Sequence, residues 1–178
     1  MNVFLPAPRL ATLAPVAIDA RIQVEFDEDL VDEYRLIGFE NRGILDRDFR
    51  NDDVDAGELS SGHTVTALYE LDLDRDAGRG DELGVVMLRW QDPESGAWVE
   101  IDADIEMDDI EDDWLDTDAG FQLATTVAVW AEVLRDSPFA DDIDIDAIAE
   151  EAARIDDDER SEQTEELADL TDRTARLW

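Results

Sequence analysis

The sequence predicts an α+β protein, in which an antiparallel β-sheet or sandwich of about five strands is followed by a three-helix C-terminal region. Apolar and polar side chains alternate along much of the first part of the chain, which is typical of strands with one buried face. After Asp118 the apolar side chains recur instead at helical spacing. The 178 residues are 44% hydrophobic, which is enough to build a core. We therefore expect an N-terminal extension (residues 1–18), an antiparallel β domain (19–109) and an acidic helical region (118–178).

The first two predicted strands precede a turn at residues 41–43. In the first strand, Ile22, Val24 and Phe26 alternate with polar side chains. The second is the apolar run Tyr34–Phe39, which an acidic turn precedes. Both have the pattern of half-buried strands.

Three more strands are predicted before residue 109. The clearest alternation covers residues 64–73. Residues 83–90 are almost continuously apolar, which suits a central strand covered on both faces. A turn at residues 92–96 leads to the last strand, whose alternation is very regular. Its apolar side chains are expected to point inward: Val99, Ile101, Ala103, Ile105 and Met107.

Three amphipathic helices are predicted to close the chain. Asp118 can cap the first helix, and Ser137-Pro138 ends it. Its apolar face is expected to hold Leu123, Val127, Trp130, Ala131 and Leu134. The second helix starts at about Asp144, with an apolar face of Ile145, Ile148, Ala149, Ala152 and Ile155. The third starts near Ser161, with Leu167, Leu170, Thr174 and Leu177 in register.

The charge of the chain is extreme, with 50 acidic side chains against 14 basic ones and a formal net charge of −36. All the basic side chains are arginines. Such a surface repels nucleic acids and anionic membranes, so neither is expected as a partner. We favour a halophile-type surface, which keeps a protein hydrated in concentrated salt, over a mimic of nucleic-acid phosphates. No apolar stretch is long enough to insert into a bilayer, and no signal peptide is expected.

The residue types also exclude several kinds of catalysis. The chain has no cysteine, which removes disulfides, thiolate catalysis and Cys-ligated metal sites. His63 is the one histidine, so a two-histidine mechanism cannot be assembled within the chain. Nucleophile elbows, phosphate-binding loops and dinucleotide-binding motifs are also missing from the sequence. We therefore expect no enzyme and no cofactor.

One acidic loop has part of a calcium-binding pattern. Asp72, Asp74 and Asp76 occupy positions 1, 3 and 5 of a possible loop. Ala77 stands where the sharp turn needs glycine, and Leu83 stands where a bidentate glutamate belongs. The sequence therefore favours a solvated loop with at most weak Ca²⁺ binding.

The segment between residues 40 and 63 is unusually dense in polar side chains. Arg42 could form a forked ion pair with Asp55 or Glu58. We expect an ion-pair network that fixes a loop between strands, with a ligand site as the alternative. The candidate interaction residues are Glu40, Asn41, Arg42, Asp48, Asp55, Glu58 and His63.

Several segments of this region carry a family resemblance. They are residues 22–26, 34–42, 48–49, 54–58, 62–63 and 65–70. Together they resemble the region that follows the von Willebrand factor type A domain in a family of bacterial envelope-associated proteins. The likeness is dense from about Leu13 to Leu71 and resumes over 121–138.

The resemblance implies a non-catalytic accessory module that packs against a type A domain, in the same protein or on a separate chain. It also suggests protein–protein assembly at the cell envelope or outside the cell. The type A domain itself binds a cation through an Asp-x-Ser-x-Ser motif, which this sequence lacks. An accessory module should expose an apolar patch around its first strand or Trp178. The alternative is an autonomous Ca²⁺-dependent binding protein that uses the acidic loops.

Overall fold

The computed structural model describes residues 15–38, 49–51 and 56–177 and confirms an α+β fold. The strands in this described part are β1 (Pro15–Phe26), β2 (Val31–Leu36), β3 (Gly57–Ser60), β4 (Tyr69–Leu73), β5 (Glu82–Gln91) and β6 (Trp98–Glu106). Short 3-10 turns follow at Met107–Asp109 and Trp114–Asp116. The helices are α1 (Ala119–Leu134), α2 (Ile145–Glu159) and α3 (Glu162–Ala175). We find no described helix with both the length and the apolar character needed to cross a bilayer.

The described residues form two compact units. Unit 1 contains residues 15–34, 49–51, 56–66 and 71–109, and unit 2 contains residues 35–38, 67–70 and 110–177. Unit 2 therefore takes two short pieces of the predicted β domain in addition to the helices. Strand β1 begins at Pro15, which lies inside the predicted N-terminal extension.

Unit 1 is built on a four-stranded antiparallel sheet with the strand order β3-β1-β5-β6. Strands β1 and β5 approach closely at Gly84, where an added Cβ atom would lie 2.3 Å from the carbonyl oxygen of Glu25. A side chain at this position would push the two strands apart, so glycine is required there. Near the other end of β1, Asp19 has a positive φ of 51° within an irregular stretch of the pairing. Its carboxylate accepts the Ala56 N–H and so holds the entry to β3.

Strands β2 and β4 form a separate two-stranded ribbon, which is shorter than the sequence predicts. The predicted strand over residues 64–73 is regular only from Tyr69 onward, because the ribbon hydrogen bonds end where Ile37 N–H reaches the Leu68 carbonyl. Residues 63–68 have no regular structure, and Val65 is 78% exposed. Strand β2 starts at Val31, three residues before the predicted run, because Val31 is buried.

The helices of unit 2 begin close to the predicted starts, and the cap predicted at Asp118 is confirmed. The side chains of Asp118, Asp144 and Ser161 accept backbone N–H groups at the starts of α1, α2 and α3. These bonds satisfy N–H groups that have no partner within the helix. Helix α2 buries much of its predicted face, through Ile148, Ala152 and Ile155. In α3, Leu167 is buried and Leu170 is exposed, and Leu177, which is also exposed, lies beyond the end of the helix.

The predicted apolar face of α1 is largely wrong. The helix buries Gln122, Thr126, Glu132 and Val133, whereas Val127, Ala131 and Leu134 are exposed. The buried polar side chains have hydrogen-bond partners. The Gln122 amide, for example, donates to the carbonyls of Trp114 and Thr117, both at 3.0 Å. Hydrogen bonding has therefore decided which face of α1 turns inward.

Candidate interaction site

The two faces of the sheet in unit 1 differ sharply in chemistry, because successive side chains of a strand point to opposite faces. One face carries Arg21, Arg89 and Glu100 directly across from each other on β1, β5 and β6. The other carries Ile22, Leu88 and Ile101 in the next rung. We call these the charged face and the apolar face.

The charged face is partly covered by residues 49–51. Arg21 is buried, and its guanidinium donates to the Phe49 carbonyl at 2.9 Å and the Asn51 carbonyl at 2.8 Å. Phe49 is buried as well. The Trp98 ring packs near both strand arginines, with the Arg89 guanidinium carbon 4.3 Å and that of Arg21 5.5 Å from its centroid. Arg21 thus anchors this short segment to the sheet through hydrogen bonds, and the cation–π contacts with Trp98 hold both strand arginines in place.

Glu100 is the negative centre of the charged face. Arg50 donates to it from two nitrogens, the shorter bond being 2.6 Å, and Arg89 donates at 3.3 Å. Hydrogen bonding from Arg50 is the main reason why the pKa of Glu100 lies below its ordinary value. Glu100 therefore stays ionised and joins the loop arginine to the strand arginine. This arrangement fixes residues 49–51 to the sheet.

The apolar face is the open one. Ile22, Leu88 and Ile101 are 47%, 39% and 50% exposed although they lie side by side on three paired strands. We call these three residues the open row. The alternation predicted for β6 is present, but the expected inward position of its apolar side chains is wrong at Ile101 and Ala103, which are exposed, whereas Val99 and Ile105 are half-buried. The prediction that β5 is covered on both faces is wrong at Leu88.

The next rung extends the open row. Val24, Val86 and Ala103 are paired across the same three strands, with both valines half-buried and Ala103 exposed. Further along β1, the Phe26 ring lies 4.7 Å from that of Tyr34, which is also exposed. A contiguous apolar surface of this kind is typical of a protein interaction site, because exposing it to water costs free energy. It also matches the patch expected around the first strand; Trp178, the other expected location, lies outside the described residues.

The predicted interaction network is mostly outside the part of the chain that the structure describes. This applies to Glu40, Asn41, Arg42, Asp48 and Asp55. Glu58 in β3 and His63 after it are described, and both are exposed. The network therefore stays a prediction. Sequence reasoning missed Arg21, Arg89 and Trp98, whose alignment depends on the strand register.

The candidate calcium ligands lie at the end of β4 and in the turn after it. Asp72 and Asp76 are exposed, and Asp74 is half-buried. The Asp74 carboxylate accepts the Asp76 N–H at 2.7 Å, which closes a local turn. Within the described residues, no three acidic or histidine side chains are placed to hold a metal ion. Weak Ca²⁺ binding stays a prediction without a preformed site in this part of the chain.

A second charged cluster lies inside unit 2, around Glu132. This carboxylate is 3% exposed and accepts bonds from Ser137 at 2.6 Å, Arg135 at 2.5 Å and Arg35 at 3.3 Å. The Arg35 guanidinium also pairs with Glu70. Both carboxylate oxygens of Glu132 are therefore engaged, and the cluster ties β2 and β4 to the end of α1. We interpret it as structural, because both oxygens of the buried Glu132 carboxylate already accept hydrogen bonds.

Comparison with known proteins assigns the chain to a family. Residues 11–177 match the model of a family described as "Uncharacterized protein YfbK, C-terminal". The chain belongs to this family. Among curated proteins, the "Uncharacterized protein YfbK" of Escherichia coli (strain K12) is 42% identical over 71 residues. That match covers 40% of this chain but only 12% of the relative, so the aligned region is a small part of a much longer bacterial protein. No solved structure gives a significant match.

Proposed function

We propose that this member of the YfbK C-terminal family is a non-catalytic interaction module that docks against a folded protein domain. The observation that carries the proposal is the open row, in which Ile22, Leu88 and Ile101 are exposed together on three adjacent strands. Covering such a row removes apolar area from water and contributes roughly 25 cal/mol for each Å² buried. The rigid sheet beneath it holds the three side chains in fixed register, so little conformational entropy is lost on binding.

The partner that we propose is a von Willebrand factor type A domain, in the same protein or on a separate chain. Two facts support this choice. The first is the resemblance of residues 22–26 and the segments after them to the region that follows such a domain. The second is the family description, which places the matched region at the C-terminal part of a longer protein. We further propose that the contact supports protein assembly at the cell envelope.

The test is binding between the full chain and a purified type A domain from a bacterial protein of this family, measured by isothermal titration calorimetry. The lowest salt concentration that keeps the chain folded should be used. The native chain should bind, and Ile22→Glu and Leu88→Glu should each weaken binding about tenfold or more, because a buried charge replaces an apolar contact. Val65→Glu is the matched control, since Val65 is exposed in unit 1 outside the open row.

Two results would contradict the proposal. One is the absence of binding by the folded native chain. The other is binding that Val65→Glu weakens as much as the two row variants do, because the affinity would then depend on the net charge of the chain and not on the open row. Circular dichroism of every variant should precede the titrations, so that a loss of binding is read only from folded protein.

A further inference from the structure

Among the strands that the structure describes, β6 lies at an edge of the four-stranded sheet, with β5 beside it. Residues 100–104 are all exposed, on both faces of the strand. An edge strand presents a row of backbone N–H and C=O groups that can pair with another strand. The nine residues of β6 make this edge as long as a typical strand-addition site requires.

The charges on this strand are not balanced by the neighbouring strand. Asp102 lies across from Met87 and Asp104 lies across from Val85. Neither aspartate forms an ion pair with a residue in the described part of the chain. Glu100 differs, because it is paired with Arg50 and Arg89. A basic side chain of a partner segment can therefore approach Asp102 and Asp104 from the open edge.

We propose that the edge of β6 binds an extended segment of a partner protein by strand addition, and that this segment alternates apolar and basic side chains. Its basic side chains lie beside Asp102 and Asp104, and its apolar side chains extend the surface that begins at Ile101 and Ala103. Opposite charges on neighbouring strands stabilise the pairing, and the alternation keeps the segment in register.

A second copy of this chain fits the edge less well. Pairing two β6 strands in antiparallel orientation would place acidic side chains beside acidic ones on the same face. The net charge of −36 would add general repulsion between the copies. The inference uses the backbone edge of β6 and meets the open row only at Ile101, so it can be tested separately from the proposed docking through Ile22.

The test uses a blocked nine-residue peptide of alternating valine and arginine, with fluorescence anisotropy for affinity and hydrogen exchange for location. The full chain should bind this peptide and gain protection at the amides of residues 99–105. Asp102→Lys/Asp104→Lys should weaken binding about tenfold and should instead bind the peptide with glutamate in place of arginine. Asp157→Lys/Glu159→Lys makes the same change in net charge on exposed residues of α2 and should bind like the native chain.

Three outcomes would overturn the inference. If a scrambled peptide of the same composition binds equally well, the net positive charge of the peptide explains the binding, and strand addition does not. Binding without protection of the β6 amides would place the peptide elsewhere. Concentration-dependent protection of β6 in the chain alone, with dimers in sedimentation equilibrium, would assign the edge to a second copy. Ile22→Glu should leave peptide binding unchanged, which separates this result from the docking test.

Discussion

The sheet of unit 1 exposes apolar side chains, whereas the helices of unit 2 bury polar ones. In unit 1, the open row of Ile22, Leu88 and Ile101 faces solvent while Arg21 is buried. In unit 2, six polar residues are buried: Gln122, Thr126, Glu132, Ser137, Thr164 and Thr171. A buried polar side chain needs a hydrogen-bond partner, and an exposed apolar row leaves free energy to be gained by covering it.

The comparison shows that different interactions determine the packing inside unit 2 and recognition at the surface of unit 1. The interior of unit 2 is determined by directed hydrogen bonds, since the Glu132 carboxylate alone accepts from three side chains. The surface of unit 1 is suited to recognition, because its apolar side chains are presented on hydrogen-bonded strands. We therefore expect buried polar substitutions to lower stability, and substitutions in the open row to affect binding more than stability.

The largest effect is expected for Glu132→Ala. Removing this buried carboxylate takes a shared acceptor away from Arg35, Arg135 and Ser137, and breaking a buried ion pair costs about 3 to 4 kcal/mol. Urea unfolding, followed by the helical signal at 222 nm, should show this loss. Glu150→Ala removes an exposed acid from α2 and should change the free energy of unfolding by no more than about 0.5 kcal/mol. Equal losses in the two variants would mean that the Glu132 cluster contributes no specific stability.

The next effect compares two leucines of β5. Leu83 is fully buried, whereas Leu88 belongs to the open row. Leu83→Ala should lower the free energy of unfolding by about 3 kcal/mol, because it removes buried atoms and leaves a cavity. Leu88→Ala should cost less than about 1 kcal/mol, because its side chain is already partly in water. Urea unfolding measured by tryptophan fluorescence distinguishes the two. Similar costs would mean that Leu88 is covered within the chain, and the docking proposal would lose its basis.

A third comparison concerns two buried threonines of α3. The Thr164 hydroxyl accepts the Ser161 N–H and lies 2.8 Å from the Asp156 carboxylate of α2, whereas the Thr171 hydroxyl donates to the Leu167 carbonyl of its own helix. Thr164→Val should therefore cost about 1 to 2 kcal/mol. Thr171→Val should be nearly neutral, because that carbonyl already accepts a helical N–H. Thermal unfolding of both variants checks the order, and a larger loss for Thr171→Val would reverse the explanation.

The fold class followed from the sequence because period and capping are local properties. Asp118 was recognisable as a cap, and Asp144 and Ser161 as helix starts, from residue type and position alone. The direction of each face was not local. Val127 and Leu134 have helical spacing, yet partners distant in sequence draw Glu132 inward, among them Arg35.

The candidate site was only partly predictable for the same reason. The resemblance led us to expect an exposed apolar patch near the first strand, and Ile22 lies there. Its continuation to Leu88 and Ile101 requires the register between β1, β5 and β6, which alternation within each strand does not determine. The charged face was missed because Arg21 and Phe49 are 28 residues apart in sequence.

A smaller effect is expected for the pH dependence at Glu151. Hydrogen bonding from Arg154, with a further bond from Trp114, holds the pKa of Glu151 below its ordinary value of 4.5. The carboxylate therefore stabilises the fold above the unfolded pKa, and this contribution is lost as the pH falls through the lower folded pKa. The difference in unfolding free energy between the native chain and Glu151→Gln should be constant from about pH 6 to about pH 8. It should shrink below about pH 4.5. In an Arg154→Gln background the pH dependence should weaken; if it persists, Arg154 is not its cause.

The smallest effect is expected from calcium. The acidic surface should make the melting temperature rise with KCl, since screening reduces the repulsion within a chain of net charge −36. CaCl2 at matched ionic strength should add no saturable shift, because the Asp74 carboxylate accepts a backbone N–H in a local turn and no three acidic side chains of the described residues are placed to hold a metal ion. Asp74→Asn/Asp76→Asn keeps oxygen acceptors for the turn and removes two charges, so it is the matched variant. A saturable calcium shift that this variant abolishes would move the binding function from the open row to the acidic loop.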